Sequence, residues 1–316
     1  ALYENTPADY WNLLLPGDNP DYPWPAILLG YPVMGIWFWC TDQSMVQPVL
    51  AAKNLRQGQT GANFTAWLKI LDVPLFILPG ILCFLLFPAL ENPDAAYMTM
   101  VTGLFPAGIV GLVLAALIAA LISTLDSALN ALGTVFTMDI YVRKYRPGAS
   151  PATIVRTGRL VTVAGAAIAV FLALAIDGIR GLNLFDVFQS VLGFIAPPMS
   201  VVFLFGIAWK RTTARAANLI LTAGTAFSLL TGILYLWVFP AGSHAFWPHF
   251  LLLSFFIFTA LALLAFLVSY FDRQGAGQEG NTLDYRSPPK LSVPVRAVWI
   301  GLALVMAGLY LFFNGH

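Results

Sequence analysis

Long apolar runs, broken by short polar turns, set the rhythm of this chain. A helix crosses a bilayer with roughly 20 mostly apolar residues, and eight stretches qualify: about 25–47, 64–88, 104–140, 157–177, 184–209, 214–239, 248–271 and 293–313. The third is too long for one perpendicular crossing, so it must tilt or project beyond the bilayer. The pattern predicts an all-α polytopic membrane protein. Its parts are an outer segment over 1–24, a core over 25–209, two further spans over 210–271, a polar Gly/Pro-bearing linker over 272–292 and a last span over 293–316. No short repeat is visible.

Polar residues inside the spans carry the functional signal. Asp126 lies deep in the third span, where charge is expensive and usually marks an ion or substrate path. Ser123, Ser127, Asn130, Thr134 and Thr137 recur at helical spacing and form one polar stripe, with Asp126 at its border. Such oxygens suit a hard cation. Small polar residues also glue transmembrane helices together, and that reading stands beside the first.

The first span is interrupted by Thr41-Asp42-Gln43-Ser44 and carries prolines at Pro25, Pro32 and Pro48. A broken helix lining a site reads this way, because freed backbone groups survive at membrane depth only where protein or water satisfies them. Trp37, Phe38 and Trp39 precede the break; consecutive aromatics cannot all face one way, so either one faces the bundle interior or the three belong to an aromatic belt. Lys69 and Asp72 share a helical face in the second span, as an internal salt bridge or as a substrate contact. Pro74 and Pro79 predict a kink just beyond them. In the fifth span Asp186 and Gln189 are again three apart, and Pro197-Pro198 predicts a bend. Gln189 offers two donors and an acceptor, suited to ligand hydroxyls or to a helix–helix hydrogen bond.

Charge fixes an orientation. With the N-terminus outside, the inner loops hold 14 of the 16 basic residues: Lys53, Arg56, Arg143, Lys144, Arg146, Arg156, Arg159, Lys210, Arg211, Arg215, Arg273, Arg286, Lys290 and Arg296. Arg180 falls outside and Lys69 within the membrane. This matches the positive-inside rule and places the C-terminus outside as well. Composition agrees with membrane residence: 59% of the 316 residues are hydrophobic, 10% are charged, and mean hydropathy is +0.78. A net charge of +1 gives no reason to expect nucleic acid. Cys40 and Cys83 form no readable disulfide framework or metal motif. His244, His249 and His316 read as solvated and without a metal role. The first 24 residues are acidic and proline-rich and carry no signal-peptide pattern. An initial Ala points to a processed or truncated product. No hydrolase, kinase or nucleotide-binding motif is present, so no enzyme is expected and energy for transport would come from an ion gradient.

Four strings resemble the sodium/solute symporter family, and within it the sodium/glucose cotransporter branch: PWPAILLGYPVMGIWFWCTDQSMVQPVLAAKN, LKILDVPLFILPG, AALISTLDSALNALGTVFTMDIY and LFDVFQSVLGFIAPPMSVVFLFGIAWKR. The resemblance implies a partial LeuT-type inverted-repeat fold, made of the second five-helix repeat plus three peripheral helices. It implies sodium at Ala120, Ser123 and Thr124, with Asp126 and Ser127 near a further sodium. It implies sugar contacts from Lys69 and Gln189, and gate or sugar-side roles for Trp37, Phe38, Trp39, Asp42 and Gln43. Phe38 stands where the family usually has tyrosine, so a gate hydroxyl is lost. The first repeat, which completes both sites in the family, lies outside this chain. The implied activity is sodium-coupled uptake of a glucose- or galactose-like sugar across the plasma membrane, with Na+ as coupling ion and no other cofactor. Its partners would be sodium, sugar, the lipid bilayer and the first repeat. The alternatives are a symporter for inositol, sialic acid, an amino acid or a carboxylate, a transporter-like solute sensor, and a channel.

Overall fold

The computed structural model describes residues 5–177, 184–239, 244, 246–272 and 293–314. All of the linker over 272–292 but its first residue, together with Arg180 and His316, therefore lies outside the described residues, and with it Arg273, Arg286 and Lys290. Apart from one isolated bridge between Leu15 and Pro23, the described regular structure is helical. The main helices are α1 Trp24–Cys40, α2 Gln43–Leu50, α3 Leu55–Leu86, α4 Ala96–Leu104, α5 Ala107–Tyr145, α6 Pro151–Asp177, α7 Leu184–Ala208, α8 Ala214–Val238, α9 Phe250–Phe271 and α10 Val293–Phe313.

Seven of these are long and apolar enough to cross a membrane: α3 and α5 to α10. The expected first span differs from that length. It is the 17-residue α1, separated by a break at Thr41-Asp42 from the short α2. The expected second span starts earlier than its apolar run, because the Asn54 side chain caps α3 by accepting from Gln57 N–H at 3.0 Å. The expected third span starts later. Phe105-Pro106 is extended and separates α4 from α5, which then runs on as a π turn over Phe136–Tyr145. Pro74 leaves its mark as a π turn over Val73–Ile77 inside α3, where the missing N–H disrupts the regular ladder.

The chain divides into two compact units. The first comprises Ala1–Ile77 and Leu184–His316, and its core joins α1, α7, α8 and α9 around Ala26, Met34, Phe194, Val201, Ile220, Leu251, Ile257 and Leu261. Glycine permits two close approaches. A Cβ at Gly30 would lie 2.4 Å from the Leu251 carbonyl oxygen, and one at Gly232 would lie 2.7 Å from the Phe194 ring. Pro198 cannot donate to the Phe194 carbonyl four residues earlier, yet α7 stays helical through both prolines. Ser228 of α8 fills the vacancy, its Oγ donating to Phe194 O at 2.5 Å. Ser200 Oγ likewise donates to Val33 O of α1 at 2.6 Å. α10 is fixed to α3 by Asn63 Nδ2, which donates to Val295 O at 3.2 Å. Its end is clasped to the N-terminal segment: Asn314 accepts from Leu13 and Leu14 N–H and donates to Leu14 O at 2.8 Å.

The second unit, Leu78–Asn183, contains the end of α3 with α4, α5 and α6. α5 and α6 meet at small residues: a Cβ at Gly133 would lie 2.9 Å from Thr162 Oγ1, and one at Gly165 would lie 2.6 Å from Leu132 Cδ2.

One histidine departs from the solvated reading. His249 is half-buried and caps α9, its Nδ1 accepting from Leu251 N–H at 3.3 Å, with its ring 5.4 Å from that of Tyr22. Burial holds its pKa below the ordinary histidine value, against smaller opposing effects of the Asp21 backbone and the Asp186 and Asp21 charges.

Two outcomes follow. Ser228→Ala should lower unfolding stability by about 1–3 kcal/mol, because it leaves the Phe194 carbonyl buried without a donor. Thermal unfolding in detergent reads this. The folded state favours neutral His249, so its contribution is complete above pH ~6.5 and is lost as pH falls through the folded pKa. Stability of wild type should thus fall, as pH drops below about 6.5, more steeply than that of His249→Asn, which keeps a capping oxygen but does not titrate.

Candidate functional site

In the first unit, the break after α1 is built by its own polar residues. The Trp37 carbonyl accepts from Thr41 N–H at 3.0 Å, Asp42 N–H at 3.1 Å and Thr41 Oγ1 at 2.6 Å, which ends the helix. Asp42 is extended and restarts the chain as the cap of α2: its Oδ1 accepts from Ser44 N–H at 2.8 Å and from the Ser44 hydroxyl. A carboxylate at a helix N-terminus is favoured by the positive end of the helix dipole. Asp42 Oδ2 has no hydrogen-bond donor among the described residues, so the cap leaves half of the carboxylate available. Gln43 is the first residue of α2 and is half-buried. The three aromatics before the break diverge. Trp37 packs against the core, Trp39 is 46% exposed, and Phe38 lies between them with ring centroids 6.1 and 5.1 Å away.

The face of α7 that carries Asp186 and Gln189 meets two tyrosines that sequence reasoning overlooked. Tyr22 Oη donates to Asp186 Oδ1 at 2.5 Å, and Gln189 Nε2 donates to Tyr31 Oη at 3.1 Å. Burial, then the Asp186 hydrogen bond, push the Tyr22 phenol well above its ordinary range, so it stays a donor. Tyr22 also packs edge-on against Phe250. The available signal for Tyr31 was a hydroxyl inside an apolar span, which needs a partner. Lys69 takes the internal pairing: its Nζ lies 2.8 Å from Asp72 Oδ2, with both side chains about half exposed.

In the second unit, the polar stripe of α5 divides in two. Towards its C-terminal end Asn130, Thr134 and Thr137 border a cleft of about 630 Å³ against Gly158, Arg159 and Thr162 of α6. Thr137 is buried there, and Thr162 Oγ1 donates to Gly158 O at 3.0 Å. Through Thr137 this half of the stripe takes part in helix packing, while Asn130 stays exposed. The other half does not pack in this way. Ala120, Ser123, Thr124, Asp126 and Ser127 are all exposed within the unit. Thr124 Oγ1 donates to Ala120 O at 3.0 Å, and Ser127 Oγ donates to Ser123 O at 3.0 Å. A hydroxyl that gives its proton to its own helix turns its lone pairs outward. This face therefore offers oxygen acceptors and one carboxylate, the ligand set of a hard cation.

The sodium:solute symporter family matches residues 7–224. The sodium/myo-inositol cotransporter 2 of Rattus norvegicus is 35% identical over 233 residues, 68% of this chain and 34% of that protein. The sodium/mannose cotransporter of Bos taurus is 34% identical over 236 residues, 69% of this chain and 39% of that protein. The sodium/glucose cotransporter 2 of Rattus norvegicus is 35% identical over 234 residues, 69% of this chain and 35% of that protein. The matched part spans little more than a third of these relatives' length. The matched region contains the broken first helix, the Asp186–Gln189 face and the oxygen-lined face of α5, all within 316 residues of multi-pass helical protein: the chain belongs to the sodium:solute symporter family.

Proposed function

We propose that this chain is the substrate- and ion-binding part of a transporter that couples sodium entry to uptake of a neutral polyhydroxylated solute, a sugar or a cyclic polyol. The observation that carries the reading is Gln189, a half-buried amide in an apolar span whose Oε1 has no protein donor among the described residues. Such a group suits hydroxyls, which both give and take hydrogen bonds. The relatives named for inositol, mannose and glucose support the same class of solute. Lys69 is already paired with Asp72, which counts against a carboxylate substrate.

Sodium binds at Ala120 O, Ser123 Oγ and Thr124 Oγ1, with Asp126 and Ser127 one turn on. Trp37, Phe38 and Trp39 form the gate, where Phe38 stacks on the solute but gives no hydrogen bond. Asp42, Gln43, Lys69 and Gln189 are the polar side of the solute site. The helices α1 to α7 correspond to the second repeat of a LeuT-type core, and α8 to α10 are peripheral. A first repeat, outside this chain, completes both sites. The N- and C-terminal ends face outside at the plasma membrane. Each sodium contributes about 2.3 kcal/mol per 100 mV of potential. Sodium binding favours the outward-open state, and the solute then closes the gate.

The test uses the full-length transporter in proteoliposomes with an imposed sodium gradient. Ser123→Ala and Thr124→Ala should each raise the sodium concentration for half-maximal uptake about tenfold or more, the size of a lost charge-assisted ligand. Gln189→Ala should abolish uptake of glucose or myo-inositol while leaving sodium affinity in place. Normal sodium dependence in both hydroxyl variants would remove the sodium assignment.

A further inference from the structure

Tyr31 and Gln189 meet across the α1–α7 contact, and the direction of their hydrogen bond decides what each has left. The Gln189 amide nitrogen donates and the Tyr31 oxygen accepts, at 3.1 Å. The phenol proton is therefore unused, and so is the amide oxygen. Neither has another protein partner among the described residues. Both side chains are half-buried, and Gln189 Oε1 is not sealed from solvent. The neighbouring acceptor, Asp186 Oδ1 one turn earlier on α7, is taken by Tyr22. The outcome is an unused donor and an unused acceptor on two side chains joined by a hydrogen bond.

That pairing selects a ligand. A carboxylate brings acceptors only and an ammonium donors only, so each satisfies half of the pair. Two hydroxyls on adjacent carbons satisfy both: one accepts from Tyr31 while its neighbour donates to Gln189. We infer that Tyr31 is a direct substrate contact and, with Gln189, forms a two-point clamp for the hydroxyls of the solute. This rests on the reading that Gln189 faces the solute. It assigns to Tyr31 a donor role that its place in the apolar string GYPVMG does not specify.

The full-length transporter in proteoliposomes decides the matter, with initial rates measured for glucose and myo-inositol and for the monodeoxy analogues of whichever is carried. Tyr31→Phe keeps the ring and removes the donor. KM for the parent solute should rise about tenfold, the upper end for one hydrogen bond, while the maximal rate and sodium half-saturation stay put. In wild type one monodeoxy analogue should lose affinity by a similar factor, and in Tyr31→Phe that extra loss should vanish. Gln189→Glu turns the amide donor into an acceptor that claims the Tyr31 proton. It should reproduce the Tyr31→Phe loss, and the double variant should add little to it. An unchanged KM and an unchanged deoxy pattern in Tyr31→Phe, with uptake abolished by Gln189→Ala, would overturn the clamp and leave the solute site standing. Normal uptake by Gln189→Ala would overturn the solute site itself, and the clamp with it.

Discussion

A backbone carbonyl without a donor at membrane depth costs several kcal/mol, and this constraint shapes the fold wherever proline or a break interrupts a helix. At Phe194 the missing donor of Pro198 is replaced from the neighbouring helix by Ser228. At Trp37 three donors from Thr41 and Asp42 gather on a single oxygen and close α1. At Pro74 the helix itself adjusts, widening to a π turn over Val73–Ile77. The three solutions differ in kind: a partner helix, a local side chain and a change of helical pitch. Only the first ties two helices together, so the interruption in α7 also fixes α7 to α8, reinforced by the approach that Gly232 allows to the Phe194 ring.

The same rule explains which polar side chains are free for function. Asp42 gives one oxygen to the cap of α2 and retains the other. Thr124 and Ser127 return their protons to α5 carbonyls and retain their lone pairs. Lys69 is matched by Asp72 within its own helix. In each case the internal need is met first, and the remaining oxygens and donors are left unspent. An apolar span that carried these residues without internal partners would be expensive to insert. Asp42, Thr124, Ser127 and Lys69 are therefore self-satisfied arrangements with spare capacity.

The period of apolar residues made the seven long helices legible, because about 20 such residues have no other use in so short a chain. Boundaries were less legible, for physical reasons visible at particular residues. The Asn54 cap lengthens α3 into polar sequence, and Pro106 delays the start of the expected third span, neither of which a hydropathy run reports. The broken first helix was readable because Thr41-Asp42-Gln43-Ser44 has no apolar explanation. Gln189 stood out for the same reason, whereas Tyr22 and Tyr31 did not. Tyrosine is at home in an apolar run, and only tertiary contact reveals that each hydroxyl is aimed at α7. His249 was misread as solvated because a short polar turn and a capping position look alike until burial is known.

The α5 stripe adds a further step. Its residues share one helical periodicity but meet two fates. Gly133, Thr137 and Thr162 form a packed interface, while Ser123, Asp126 and Ser127 remain exposed in a helix whose most apolar stretch is 0% buried. An apolar helix face is content against lipid, but a carboxylate is not. Asp126 has no charge partner among the described residues, and the matched part covers little more than a third of its relatives' length. A cation bound to this face would supply the opposite charge that the helix itself lacks. If so, ion binding and the stability of α5 in the bilayer are one equilibrium, because whatever binds the native arrangement stabilises it in proportion to its affinity.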